Sequence, residues 1–147
     1  MSDRKDRVFM AVAHTISELG TCDRARAGAV LTLEGRCISW GYNGAAPGMP
    51  HCDKNYHGWY MNKELLETYG CRNAIHAEAN TLAAAARQGI STEGGTLFVT
   101  ISPCIVCAHL IIAAGITRVL WTTPYRDSAG AEALTRADIE TGVILPA

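Results

Sequence analysis

The sequence predicts an α/β domain: a largely parallel sheet with right-handed crossovers and helices on both faces. Three observations carry this reading. From Ala74 onward, segments of helical periodicity alternate with short apolar runs of strand length. Near the start, two such runs are separated by a single Glu-Gly pair. The length of 147 residues suits one domain over 1–147 that buries about two thirds of its unfolded surface, and is too short for two ordinary ones.

Element by element, Val8, Phe9, Val12, Ile16 and Leu19 recur at helical spacing, and Gly20 closes the pattern as a C-terminal cap would. Gly28 to Leu33 and Arg36 to Tyr42 are apolar runs joined by Glu34-Gly35, the signature of an antiparallel hairpin. Gly41 to Gly58 is rich in Gly and Pro, with Asn, and is expected to be a loop ordered by something other than a core. Loops of this length usually carry function. Beyond it the patterning predicts a helix over Ala74–Arg87, a strand over Thr96–Ile101 and a helix over Ile105–Ala114 ended by Gly115. A strand over Thr117–Thr122, a helix near Ala129–Ala137 and a short strand Val143–Leu145 complete the chain, which has no internal repeat, low-complexity stretch or linker.

The chemistry concentrates in two short segments, His76-Ala77-Glu78 and Pro103-Cys104-Ile105-Val106-Cys107. Together they offer three ligands for a zinc ion and one carboxylate free to move protons. Three protein ligands leave the fourth tetrahedral position for a water, whose pKa there falls to ~7. Cys104 and Cys107, three residues apart on a helix that begins just after Pro103, share one face. The partial positive charge at that helix start lowers thiol pKa values and favours thiolate ligands. Glu78, two residues past the His76 imidazole in a helical segment, diverges from it and can address the water and a substrate. A lone C-x-x-C also suits a thioredoxin-like redox pair, and a lone H-x-E arises by chance. Their joint occurrence in order, with strand, Pro-Cys and helix around the second, matches the H-x-E…P-C-x-x-C signature of zinc-dependent hydrolytic deaminases acting on nucleobases.

Composition narrows the partners. Hydrophobic residues make up 48% and charged ones 18%, with no apolar run long enough to span a bilayer and no signal-peptide pattern at Ser2-Asp3-Arg4-Lys5-Asp6-Arg7. Six cysteines, at least two of them assigned as thiolates, suit a reducing compartment, so a cytoplasmic location is expected. A net charge of −1 supplies no electrostatic footprint for DNA or RNA, which favours a free nucleotide as substrate and argues against membrane or nucleic-acid partners.

Three stretches extend the signature: Gly41-Tyr42-Asn43-Gly44; Ile75-His76-Ala77-Glu78-Ala79-Asn80; and Thr100-Ile101-Ser102-Pro103-Cys104-Ile105-Val106-Cys107 with Ile111-Ile112-Ala113-Ala114-Gly115-Ile116. In these the chain resembles the deoxycytidylate (dCMP) deaminase family of the cytidine/deoxycytidylate deaminase superfamily, including its phage and ComEB-like bacterial members, from about the first helix to Val143. Gly-Tyr-Asn-Gly and Asn80 favour this branch over cytidine, guanine or tRNA adenosine deaminases. The resemblance implies a three-layer α/β/α fold with a mixed five-stranded sheet, and hydrolysis of dCMP to dUMP and ammonia within pyrimidine deoxynucleotide metabolism. Zinc on His76, Cys104 and Cys107 would activate water, with Glu78 as proton carrier. Asn43 would hydrogen-bond the sugar, and the backbone of Ala77 and Ser102 would read the base edge. An ordinary turn role is the competing account of Asn43. Tyr125, past the strand that ends at Thr122, sits where open α/β sheets bind ligands and can stack on the base or bond the phosphate; a core or surface tyrosine explains it as well.

For the 5′-phosphate, Arg26 is the first candidate, with Arg24 and Arg126 behind it; solvated arginines account equally for all three. Cys22, Cys52 and Cys71, with His57, fall where phage and ComEB-like relatives carry ligands for a structural zinc, and His51 can replace His57. Thiols packed as small hydrophobes account for the same cysteines without metal. Cys37 is expected in the core, and His14 and His109 in structural or exposed roles. The resemblance further implies a homohexamer activated by dCTP and inhibited by dTTP, with Tyr42, Asn43 and Gly44 at the effector site, although Ala45-Ala46 departs from the usual Thr/Ser-Pro-x-Gly run. The rival readings are a cytidine/deoxycytidine or tRNA adenosine deaminase, and a non-enzymatic zinc protein. The latter has no use for Glu78.

Overall fold

The computed structural model describes residues 3–22, 24–52, 71 and 73–147. In chain order the elements are α1 (Asp3–Ser17), β1 (Gly28–Leu33), β2 (Arg36–Tyr42), β3 (Gly44–Ala45), β4 (Ala74–Ile75), α2 (Ala77–Arg87), β5 (Thr96–Ile101), α3 (Ile105–Ala113), β6 (Arg118–Thr123), α4 (Ala129–Arg136) and β7 (Glu140–Val143). The main sheet is five-stranded in the order β2-β1-β5-β6-β7. The β1 strand runs antiparallel to both β2 and β5, while β5, β6 and β7 are parallel. The sheet is therefore mixed, as the family resemblance implied, and not largely parallel as helix–strand alternation alone suggested. The hairpin at the start accounts for the difference. Glu34 and Gly35 both have positive φ, 50° and 74°, the turn geometry whose twist matches that of two paired strands.

Alternation along the strands sends side chains to two cores. Val30, Phe98 and Leu120 meet Met10 and Ala13 of α1 on one face. Ala29, Leu31, Leu97, Val99, Val119 and Trp121 meet Ala77 of α2, Ala108 and Ile111 of α3 and Leu134 of α4 on the other. Among the described residues, one helix on one side and three on the other make the three layers. The packed stripe of α1 differs from the one its larger apolar residues suggested. Met10 and Ala13 are fully buried, with Phe9 and Ile16 packed against them, whereas Val8, Val12 and Leu19 stay exposed. Helical spacing alone could not separate these two neighbouring stripes. Gly20 follows a helix that has already ended at Ser17; a Cβ there would lie 2.7 Å from the side-chain oxygen of Asn43. Close approach, not capping, accounts for that glycine.

The segment read as an irregular loop from Gly41 begins two residues later, because Gly41 and Tyr42 belong to β2, and it contains the short strand β3 paired with β4. The same pairing delays α2 to Ala77, three residues beyond its expected start. The final strand closes at Val143, where the sequence had suggested it would open. Cys37 is exposed on β2 and not in the core. It lies on the sheet's edge strand, beside a bulge that shifts the register opposite Leu31 and Thr32 and so interrupts inward-outward alternation. Among the described residues, no helix is long and apolar enough to cross a membrane.

Candidate active site

Two helix beginnings face one another. His76 is the N-cap of α2, with extended backbone (φ −68°, ψ 154°), and Cys104 is the N-cap of α3, likewise extended (φ −70°, ψ 169°); neither side chain is spent on capping its helix. Cys107 follows in the first turn of α3. The two sulfurs lie 3.6 and 3.5 Å from Nδ1 of His76. The three ligand atoms are all within 4.8 Å of one another. With Zn–S near 2.3 Å and Zn–N near 2.0–2.1 Å, tetrahedral angles place sulfur and nitrogen about 3.5 Å apart, so this donor set fits a zinc ion without rearrangement. The thiol pair is strongly asymmetric. Cys104 is held well below the usual thiol range, first by the hydrogen bond from Cys107 and also by His76. Donating that bond, together with burial, pushes Cys107 up. The bond to Cys104 raises His76 as well.

Glu78 sits in the first turn of α2, buried at 5% exposure. Burial pushes its carboxyl up to about 7, a value at which it can both take and give a proton near neutrality. It borders a cavity of about 130 Å³ lined by Ala25, Ala27, Asn43, His76, Ala77, Glu78, Ile101, Ser102, Cys104 and Tyr125. The cavity lies beyond the carboxyl ends of β5 and β6, where open α/β sheets take ligands. Of the residues singled out from sequence, His76, Cys104, Glu78, Asn43, Ala77, Ser102 and Tyr125 meet there, while the third metal ligand, Cys107, lies against His76 and faces the larger cavity on the other side.

Their hydrogen bonds refine the expected roles. Ser102 donates its N–H to the carbonyl of Thr123 at 2.8 Å, and its hydroxyl accepts from the N–H of Tyr125 at 2.7 Å. Of its two backbone polar groups, the N–H is therefore committed and the carbonyl is not. Asn43 accepts from the N–H of Ala27 at 2.7 Å and donates to the carbonyl of Ala25 at 2.8 Å. Its side chain thus clamps the segment entering β1 and spends one of its two amide protons there. Arg26 does not line the cavity; it pairs with Glu18 at 3.4 Å on an exposed surface. Arg24 is also exposed. Arg126 stacks over the ring of Tyr125, 5.4 Å from its centroid, and borders a larger, open cavity of about 970 Å³ on the outer side of the metal ligands.

A family model described as the cytidine and deoxycytidylate deaminase zinc-binding region matches residues 3–123. The chain belongs to this deaminase family. It is similar to the deoxycytidylate deaminase of Enterobacteria phage T2, 32% identical, with 82% of this chain and 81% of that protein aligned. It is also similar to ComE operon protein 2 of Bacillus subtilis (strain 168), 34% identical over 88% of this chain and 65% of the relative. The solved structure of a dCMP deaminase from cyanophage S-TIM5, in complex with dCMP and dUMP, superposes with a TM-score of 0.79 at 27% identity, covering 92% of this chain and 93% of that one.

The other cysteines and histidines of this deaminase-family chain lie away from the small cavity among the described residues. Cys52 and Cys71 approach sulfur to sulfur at 3.5 Å, and Asn73 donates to the Cys52 sulfur at 3.3 Å. Cys22 is buried but does not join them in a three-ligand group within 4.8 Å. His57 lies outside the described residues, and His51 is exposed. His14 bonds the hydroxyl of Thr122 at 2.9 Å, a structural role, and His109 is exposed on α3. Of the expected effector residues, Tyr42 borders a groove of about 520 Å³ with Trp40, Ala45, Pro47 and Asn80, while Asn43 faces the small cavity instead. Sequence reasoning missed Gly130. A Cβ there would strike the carbonyl of Pro103 and lie 2.7 Å from the carbonyl carbon of Cys104. A glycine in the first turn of a helix was the available signal; the close approach itself was not visible.

Proposed function

We propose that the chain is a zinc-dependent deaminase that converts dCMP and water to dUMP and ammonia. The observation that carries this reading is the convergence of His76 Nδ1 and two sulfurs at zinc-compatible spacing beside a buried Glu78. A zinc ion held there supplies Lewis acidity and an activated water at neutral pH. Glu78 takes a proton from the attacking water, delivers it to N3 of cytosine, and assists ammonia out as C4 becomes a carbonyl. The Ser102 carbonyl, whose N–H is already committed, accepts from the base amino group, and the first-turn N–H of Ala77 meets the opposite edge. Asn43 gives its remaining amide proton to the sugar. Tyr125, held by Ser102, closes the cavity. The relatives named for deoxycytidylate deamination support dCMP as substrate.

Measuring ammonia release from dCMP, dCTP, deoxycytidine, cytidine and tRNA side by side tests this. A strong preference for dCMP is expected; equal turnover of the unphosphorylated nucleoside removes the phosphate from the recognition, and turnover of tRNA alone replaces the reading with nucleic-acid editing. The 5′-phosphate is assigned first to Arg26, whose chain neighbours Ala25 and Ala27 line the small cavity, with Arg24 and Arg126 behind it. The pairing of Arg26 with Glu18 is exposed and cheap to break.

Three finer elements belong to the same reading. A structural zinc on Cys22, Cys52, Cys71 and His57 is supported by the contact between Cys52 and Cys71. Activation by dCTP and inhibition by dTTP is supported by the groove that Tyr42 shares with Trp40 and Asn80, and a flat response of turnover to both nucleotides removes it. Association into a homohexamer is supported by apolar side chains exposed on two helices, Val8 and Val12 of α1 and Ile105, Val106 and Leu110 of α3, which supply surface for contacts between copies. Light scattering reads the assembly directly.

A further inference from the structure

We propose that Asn80 is a positioning residue that ties the metal-bearing start of α2 to the strand end carrying Asn43, and so fixes the wall that receives the sugar. The inference rests on the nucleotide-deaminase reading above. Asn80 does not line the small cavity. Its backbone N–H donates to the carbonyl of His76 at 2.9 Å. Its side-chain amide donates to the carbonyl of Tyr42 at 2.6 Å. The next residue after Tyr42 is Asn43, whose own amide clamps Ala25 and Ala27. A continuous path therefore runs from the metal ligand, through the hydrogen bonds of Asn80 and the Tyr42–Asn43 peptide link, to Ala25 and Ala27 on the cavity wall.

The position of β2 in the sheet explains why such a tie is needed. Among the described residues it is an edge strand, paired with β1 alone, so its outer carbonyls have no neighbouring described strand to supply donors. Asn80 supplies one at the last residue of the strand. A second tie, from the Ser39 hydroxyl to the carbonyl of Thr81 at 2.8 Å, holds the same turn of α2 against β2. Loss of Asn80 thus leaves the helix seated and frees only the Tyr42–Asn43 junction.

The test compares Asn80→Ala and Asn80→Asp, the second keeping the shape but replacing the donor with an acceptor, against the unaltered full chain loaded with zinc. Zinc per chain, Tm, the Kd for dUMP by calorimetry, and KM and kcat for dCMP are measured for each. Zinc at the catalytic site is expected to be retained, with Kd and KM raised about tenfold in both variants, the consequence of one unmet carbonyl at the sugar wall, and kcat reduced by a smaller factor. Unchanged Kd and KM in zinc-loaded variants, whatever happens to Tm, overturn the proposal, as does loss of zinc as the primary defect. If Asn80→Ala fails to fold, Asn80→Asp alone decides. Should the unaltered chain bind neither dUMP nor dCMP, the functional reading fails instead, and the two failures are told apart by that first measurement.

Discussion

The chain carries two groups of cysteines that the structure treats differently. His76, Cys104 and Cys107 stand at the starts of two helices whose inner faces, through Ala77, Ala108 and Ile111, are packed in the core, and their ligand atoms already hold zinc-like spacing. Cys22, Cys52 and Cys71 stand on connecting segments between elements; Cys52 and Cys71 approach sulfur to sulfur, and Cys22 is near enough to Cys52 to act on it electrostatically. Ligands mounted on packed elements are preorganised, so metal binding there costs little rearrangement. Ligands on connections must be gathered, and a metal bound there contributes its free energy to folding.

The largest expected effect separates the two groups. His76→Ala removes a ligand from the preorganised set and should abolish dCMP turnover, by at least ~10⁴-fold, together with one zinc per chain; turnover within tenfold of the parent by ammonia assay breaks the assignment. Next, Glu78→Gln should keep both zinc and dUMP binding yet lower kcat by about 10²–10⁴-fold. Comparable kcat in single-turnover measurements removes Glu78 as the proton carrier. Cys52→Ser should act on the other group alone. One zinc per chain disappears from elemental analysis and Tm drops by ~5 °C, while kcat changes by no more than about twofold. A parent protein that binds a single zinc, with Cys52→Ser unchanged from it, leaves packed thiols as the account of that cluster.

Two smaller effects sharpen what preorganisation means. Gly130→Ala pushes on the backbone of Pro103 and Cys104; a loss of about 1–3 kcal/mol is expected, with weakened zinc affinity beyond what Tm alone accounts for, measured by competition with a chromophoric chelator. The proton balance of the catalytic set sets the last. His76 and Cys107 are both raised, so each favours its protonated form, and both must shed that proton to ligate. Zinc affinity should therefore fall as pH is lowered through neutrality, with proton release on binding visible in calorimetry across buffers of different ionisation enthalpy. Affinity independent of pH would contradict this protonation pattern.

Much of the site was legible in the sequence because its chemistry depends on local spacing. Cys104 and Cys107 lie on one turn of one helix, and Glu78 follows His76 by two residues. The hairpin was legible for the same reason, Glu34-Gly35 being a turn written in two residues. What required distant parts of the chain was not legible. The stripe of α1 that packs is selected by Val30, Phe98 and Leu120 across the sheet. The role of Gly130 follows from a carbonyl 27 residues earlier, at Pro103, and the exposure of Cys37 from its place on an edge strand.

By itself the sequence determined which atoms can grip a metal and which carboxylate can carry a proton, because residue type and spacing within a turn are enough to specify them. Only the tertiary structure decided how those atoms meet. It brought the Nδ1 of His76 within about 3.5 Å of two sulfurs that lie 28 and 31 residues away. It committed the amide of Asn43 to the strand beside it. It also gave Asn80 a carbonyl to hold at the sheet's edge. Hydrogen bonding and close packing between distant segments depend on backbone paths through space, and the order of residues along the chain does not record those paths.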